Sequence, residues 1–355
     1  MEIIRPDINI DFVGVRFKAF AVSIALVLAC VSLMVVRGGL NLGVDFAGGS
    51  LVQIQFKRAV SPDEIRGALR ELGMDQSAIQ QVGSASDNEF LIRTDISTEE
   101  MANLSDQVEG ALKKAFGEGQ GTVRRAEMVG PKVGQDLRQK ALFAIFYAML
   151  FIAIYISGRF EMKWGTAAIM VVVMIFGVYL LEAVGMNVLV LIAGGLLITL
   201  GLCWVLKLPY ALAAVIALVH DVLITVGVFV VLDKEFTLEI LAALLTIAGY
   251  SLNDTIVVFD RIRENLKKER RQPFIELINA SINQTLSRTI LTGGTTLFAL
   301  FFLYFFGGTV IQDFALAMII GIVAGTYSSV FIASPLLILY EDWTRVRRAP
   351  ARRAA

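Results

Sequence analysis

Eight stretches of the chain are apolar enough, and long enough, to be read as helices that cross a bilayer, which takes about 20 mostly apolar residues. They cover 19–36, 141–157, 165–181, 188–206, 208–232, 236–259, 287–306 and 314–340. The third and fourth form a tight hairpin around 182–187. No Ala-x-Ala site follows the first; Arg37, Gly38 and Gly39 come next, so it reads as a retained anchor. Between the first and second spans the pattern changes. Residues 41–140 are polar and mixed in charge, and alternate as strand 51–56, helix 62–72, strand 78–82, strand 89–94, helix 98–116 and strand 122–129. Ser61 with Glu64 and Ser97 with Glu100 are capping boxes. Pro62 sits at a first helical position, and Gly73 and Gly117 lie just past the helix ends. The order βαββαβ predicts a ferredoxin-like α+β domain outside the membrane. About 90 residues suffice for a small independent core. The glycine-rich 43–49 reads as a tight turn into the first strand. In 272–285, Phe274, Leu277, Ile278 and Ile282, with Leu286 beyond, fall on one helical face. That stripe suits a helix lying in the membrane interface or one packed on the bundle.

Composition agrees with this pattern. Of 355 residues, 56% are hydrophobic and 18% charged, with a mean hydropathy of +0.68; soluble domains carry about 25% charged residues. A nucleic-acid binder working through bulk basicity, a disordered chain and an ordinary soluble enzyme are excluded. The 32 basic and 32 acidic residues cancel, but the basic ones are unevenly placed. Arg5, Arg16 and Lys18 precede the first span, and Arg159 and Lys163 follow the second. Lys207 follows the fourth, and Arg261, Arg263, Lys267, Lys268, Arg270 and Arg271 follow the sixth. Arg345, Arg347, Arg348, Arg352 and Arg353 end the chain. With eight spans all of these fall on one side, which the positive-inside rule makes cytoplasmic, with both termini. The opposite short loops hold few basic residues, and Arg37 is the main exception. The layout is then 1–40, N-terminus and first span; 41–140, periplasmic domain; 141–164, second span and loop; 165–207, hairpin; 208–260, two spans; 261–286, basic loop and amphipathic helix; 287–340, two spans; and 341–355, basic tail. Cys30 and Cys203 lie in apolar runs and report no redox compartment.

Ionisable residues within spans carry the chemistry, because a charge at mid-bilayer costs about 2.5 kcal/mol or more and so faces a bundle interior or a water path. Asp254 lies seven residues before Arg261, roughly 10 Å in from the cytoplasmic end. Tyr250 and Ser251 share its face, and Asn253 precedes it. Arg288 opens the next span at the same end and could meet it. Burial acts against the charged carboxylate and a nearby arginine acts for it, so the pair is either a proton-exchanging site or a permanent ion pair. Asp221 lies deeper in its span, with Thr225 one turn on, as a second relay carboxylate or an interhelical hydrogen-bonding group. Its neighbour His220 reads as a packing histidine. Thr292, Thr295 and Thr296 line one face, and Gly321 and Gly325 belong to a small-residue ridge that lets helices approach closely. Phe298, Phe301, Phe302, Phe305 and Phe306 read as lipid-facing or packing aromatics. No metal-ligand cluster, P-loop or hydrolase motif is present, so no cofactor and no enzymatic chemistry are expected.

At these residues the chain resembles the SecF family, the smaller membrane subunits of the SecD–SecF accessory complex of bacterial protein export, within the RND superfamily. The resemblance rests on 43–49 (GVDFAGG), 159–161 (RFE), His220-Asp221, the long run 249–265 (GYSLNDTIVVFDRIREN), Arg288-Thr289 with Thr292, and Gly307-Gly308. It covers nearly the whole chain. It implies SecD, the SecY–SecE–SecG channel, translocating unfolded polypeptide and membrane lipids as partners, no nucleic acid, and location in the inner membrane. Protons are the implied coupling ion, with Asp254 and Arg288 matching residues implicated in proton-coupled function. The alternatives are a proton-driven transporter subunit for small molecules or lipids, and a non-transporting scaffold. The chain departs from the family's usual six spans in the extra hairpin at 165–207.

Overall fold

The computed structural model describes residues 8–74, 77–82, 88–94, 104–162, 164–183, 188–269 and 271–351. The second capping box, the hairpin turn at 184–187 and the basic residues Arg5, Lys163, Arg270, Arg352 and Arg353 lie outside the described residues. Helix α1 (Arg16–Val36) leads into a helical turn, α2 (Val44–Ala47), and then a sheet domain. This comprises β1 (Gly49–Phe56), α3 (Pro62–Leu69), β2 (Ala78–Val82), β3 (Glu89–Thr94), α4 (Leu104–Phe116) and β4 (Gly121–Val129). Five apolar helices follow: α5 (Pro131–Glu161), α6 (Trp164–Ala183), α7 (Val188–Val205), α8 (Pro209–Val231) and α9 (Leu238–Lys268). The chain closes with α10 (Phe274–Phe306), α11 (Gly308–Ser328) and α12 (Ser334–Ala351).

Among the described residues, six helical segments are long and apolar enough to cross a membrane: α1, α5, α8, α9, α10 and the stretch through α11 and α12. Helices α6 and α7 are shorter apolar helices that pack on each other. They are not loose on the surface. Thr199 of α7 is buried and donates to Gly195 O and Met174 Sδ. Met170 and Cys203 enter the same core as α8. Trp204 meets Trp343 and Tyr340 of α12 at ring distances of 4.4 and 5.6 Å.

Several helices outrun their apolar stretches. Helix α5 begins at Pro131, at the first helical position after Gly130, and α9 continues through the basic residues to Lys268. Residues 272–285 form no separate helix in the interface. From Phe274 they are the first third of α10, with Leu277, Ile278 and Ile282 buried in the main core. Polarity marks where a helix leaves hydrocarbon, not where it ends. Between α11 and α12 the helix widens to a π turn over Ser329–Ala333. Pro335 is the cause in the sequence: it lacks an N–H and its ring crowds the carbonyl four residues back, which a wider turn relieves.

The sheet domain is built as its caps dictate. Ser61 Oγ accepts from Glu64 N at 3.3 Å and donates to Glu64 Oε1 at 3.2 Å, starting α3. A 3-10 turn ends at Gly73, whose φ of 68° suits glycine. The sheet order is β2-β3-β1-β4, every pair antiparallel. One face, with Val52, Ile54, Phe90 and Ile92, packs on Ile65 and Leu69 of α3 and Val108 and Leu112 of α4.

The other face meets the connection from α8 to α9. Here 41–48 does more than turn. Phe236 N donates to Asn41 O (2.7 Å), Gly43 N donates to Phe236 O (3.0 Å), and Asp45 Oδ2 accepts from Leu238 N (3.0 Å) at the start of α9. Gly48, at φ 79°, lies so close to Pro131 that a Cβ would sit 2.8 Å from its Cα. Arg93 of β3 donates to Leu42 O (2.8 Å) and pairs with Glu235 (3.3 Å). Arg125 of β4 reaches Glu239 of α9 (3.6 Å), and Lys234 pairs with Asp313 of α11 (2.7 Å). Burial pushes the Glu235 carboxyl above its ordinary value; Arg93 opposes this, and Asp313 and Asp45 add to the push. The folded state therefore holds this proton to higher pH than the unfolded chain does. The stability it contributes is complete below about pH 4.5 and is lost as pH rises through the folded value. Glu235→Gln lacks this dependence. Its apparent Tm in detergent should match the parent's near pH 4 and exceed it at pH 7; a deficit at pH 7 would mean that the Arg93 pair outweighs burial.

Candidate functional site

Helices α8, α9 and α11 approach closely because their facing residues are small. On α8 these are Ala213, Ala214 and Ala217, and on α11 Ala317, Gly321 and Gly325. A Cβ on Gly325 would lie 2.7 Å from that of Ser251, and one on Gly321 would run into Ile247. Into this interior the fold puts two carboxyls.

Asp221 on α8 is completely buried. Its Oδ2 accepts from Ser251 Oγ of α9 (2.6 Å) and Ser328 Oγ of α11 (2.8 Å), and its Oδ1 lies 2.9 Å from His220 Nδ1. Hydrogen bonds to a charged group contribute about 1.5–3 kcal/mol each, so this carboxylate ties three helices together. Thr225 spends its hydroxyl on the Asp221 carbonyl.

Asp254 on α9 is 3% exposed and lies three residues, within one turn, beyond Ser251, the serine that meets Asp221. The Thr326 hydroxyl of α11 and the charge of Arg288 act on it. Its Oδ2 meets no partner among the described residues. Arg288 is exposed on α10, and no ion pair of 4.0 Å or less joins it to Asp254. The direct pair that the spacing allows is therefore not formed within this chain. Antiparallel neighbours bring the two residues to the same level, but the arginine leaves the helix on another face. Asn253 is also exposed.

The hydroxyls of α10 mostly return to their own helix. Thr292 and Thr295 donate to carbonyls three and four residues back, and Thr296 donates to the Thr292 carbonyl, four back, while accepting from Tyr250 (3.2 Å). Phe298, Phe301, Phe302, Phe305 and Phe306 are exposed. Thr255 and Tyr327, not singled out from the sequence, complete the layer. Thr255 bonds Ser329 at 2.8 Å, and Tyr327 bonds Ser23 Oγ and Ala19 O of α1. The signal was present as Thr326-Tyr-Ser-Ser329, four hydroxyls in succession inside an apolar span. Among the described residues no three His, Cys, Asp or Glu side chains converge as metal ligands would. The arrangement can hold protons and pass hydrogen bonds between helices.

Comparison with known proteins follows the same lines. The model of the SecD/SecF C-terminal region of protein export membrane proteins matches residues 107–203 and 176–343, and that of the SecD/SecF GG motif matches 33–60. The overlap of the two C-terminal matches falls within α6 and α7. A protein translocase subunit SecF from Desulfurispirillum indicum is 41% identical over 333 residues, 92% of this chain and 90% of the relative. One from Escherichia coli O157:H7 is 36% identical over 330 residues, 92% and 87% of the two chains. Among solved structures, SecDF of Thermus thermophilus superposes with a TM-score of 0.71 at 31% identity, covering 96% of this chain. SecDF in a super-membrane-facing form gives 0.58 at 31% identity, covering 98%. In each case this chain spans 40% of the SecDF chain's length. The curated relatives are named protein translocase subunits SecF. A multi-pass membrane protein with the GG motif, the paired SecD/SecF signature and this identity over nine-tenths of its length belongs to the SecF family of protein translocase subunits.

Proposed function

We infer that this chain acts with a SecD subunit, beside the SecY–SecE–SecG channel, to couple the proton-motive force to movement of unfolded polypeptide across the bacterial inner membrane. Asp254 is the observation that carries this reading. It is a carboxyl enclosed by α9 and α11, with one oxygen unpartnered and a cation acting on it without pairing. Such a group can exchange a proton without breaking a fixed ion pair. Asp221 accepts from Ser251, three residues before Asp254 on the same helix. One proton crossing 100 mV releases about 2.3 kcal/mol, enough to bias a two-state element roughly fifty-fold.

A SecD partner is supported by the matched share of the SecDF chains and by the surface of α9 and α10. Asn253, Arg288 and Thr295 are polar residues of spanning helices that this chain leaves exposed, and an uncovered arginine in hydrocarbon costs about 2.5 kcal/mol or more. The same surface favours a subunit over a self-contained transporter. The antiparallel order β2-β3-β1-β4 with two connecting helices supports reading the sheet domain as ferredoxin-like, and we assign it to the periplasmic side.

Asp254→Asn keeps the volume and removes the charge change. It should assemble with SecD at parental levels and lose gradient-dependent stimulation of export into membrane vesicles. Arg288→Lys should lose part of that stimulation, and Arg288→Ala more. A purely structural Asp254 predicts instead that abundance and SecD association fall in step with export. Full proton-stimulated export by assembled Asp254→Asn would eliminate the coupling role.

Eight spans with both termini cytoplasmic make a separate expectation. In a background with Cys30 and Cys203 replaced by alanine, single cysteines at Asn187 and Asp233 should react with an impermeant thiol reagent from the periplasmic side, and one at Gln272 should not. Cytoplasmic labelling at Asn187 would remove α6 and α7 from the list of spans.

A further inference from the structure

His220 is the protein's single histidine. It is 8% exposed, and its Nδ1 lies 2.9 Å from Asp221 Oδ1. The other oxygen of Asp221 accepts from two serine hydroxyls; with Asp221 ionised, the intervening hydrogen is carried by Nδ1. In the neutral ring that tautomer leaves a lone pair on Nε2. Nε2 is buried and meets no donor or acceptor among the described residues. A buried, unsatisfied polar atom costs about 1–3 kcal/mol, which a ring kept only for packing has no reason to carry. The ring also lies over Tyr327, with centroids 6.0 Å apart and planes 27° from parallel. An aromatic face on one side and a carboxylate at Nδ1 are the surroundings that accept a cation. Burial opposes it.

We propose that Nε2 of His220 is a proton-binding site in the membrane interior, alternating between a lone pair and an N–H while Asp221 remains ionised. One N–H bond forms as the proton arrives from water and breaks as it leaves. The dyad passes from a net charge of −1 to zero, and no other bond changes. The titratable groups facing the ring are Asp221 on its own helix and Tyr327 on α11; Ser251 of α9, three residues before Asp254, meets Asp221, and Ser23 of α1 meets Tyr327. The state of the ring is felt by α11 in two ways. Ser328 Oγ is shared between Asp221 and the Gly325 carbonyl (3.1 Å), and the Tyr327 hydroxyl holds α1. Ser328 immediately precedes the π turn. This site deepens the proton-coupled reading and rests on it for its part in export, but the binding itself is measurable without export.

Because there is one histidine, full-length protein labelled with 15N-histidine, purified with a histidine-free tag and held in lipid nanodiscs, gives one pair of ring nitrogens by NMR. Between pH 8.5 and 5, Nδ1 should stay an N–H while Nε2 moves from a bare nitrogen to an N–H. In Asp221→Asn the Nε2 transition should no longer be that of the parent, because the carboxylate at Nδ1 is gone. Asp254→Asn should leave the transition in place, so a failure of export coupling and a failure of this site are seen separately. An Nε2 fixed in one state across the range, a ring protonated only at Nε2, or a transition indifferent to a folded Asp221→Asn would each overturn the proposal. The parent titration decides the matter if that variant does not fold.

Discussion

Asp221 is a carboxyl with no exposed surface in the middle of an apolar helix, and the bundle is organised around supplying it with donors. An isolated carboxylate there would cost several kcal/mol. Ser251 and Ser328 reach it where glycines of α11 let α9 come close, Gly325 against Ser251 and Gly321 against Ile247. The small residues and the polar layer are therefore one device: close approach makes the hydrogen bonds short, and the hydrogen bonds make close approach specific. Asp254 sits on the same turn of α9 but has fewer donors, and its cation stands off on the surface of α10. Two carboxyls in one layer thus have different surroundings, one saturated and one open. That is how a site separates a positioning carboxylate from an exchanging one.

The same helix reaches out of the layer to the sheet domain. Helix α9 starts at the junction where Asp45 accepts from Leu238 N and Arg125 pairs with Glu239, and it carries Ser251 and Asp254 further along. Sixteen residues of continuous helix, about 24 Å, separate Leu238 from Asp254. The glycine-rich 43–49 segment anchors the sheet domain to this start and to α5, with no long flexible linker between. A displacement of α9 at either end has a rigid path to the other.

Much of this was legible in the sequence, for identifiable reasons. Strands β2 and β3 have their predicted bounds, because alternation and flanking polar residues specify them. The start of α3 is fixed by Ser61, Pro62 and Glu64. The buried carboxyls stood out because charge in an apolar span is rare. Three features were not legible. Helix ends were read from polarity, which reports the edge of hydrocarbon, so α10 begins at Phe274 and not near 287. The role of 43–48 depends on contacts with Phe236, Leu238 and Pro131, far away in the chain. The side of α10 from which Arg288 leaves depends on helix rotation, which spacing alone leaves free, so the expected pair with Asp254 is replaced by action at a longer distance.

Proton exchange at Asp254 is the central claim, and infrared difference spectroscopy tests it at the atom concerned. Spectra of the SecD-associated protein in lipid, recorded between pH 5 and 8.5, should contain a protonated-carboxyl band that appears on acidification and disappears on return. One component of it should be missing in Asp254→Asn. If the parent and Asp254→Asn give the same carboxyl difference spectrum across this range, Asp254 does not exchange a proton, and the coupling assigned to it is contradicted.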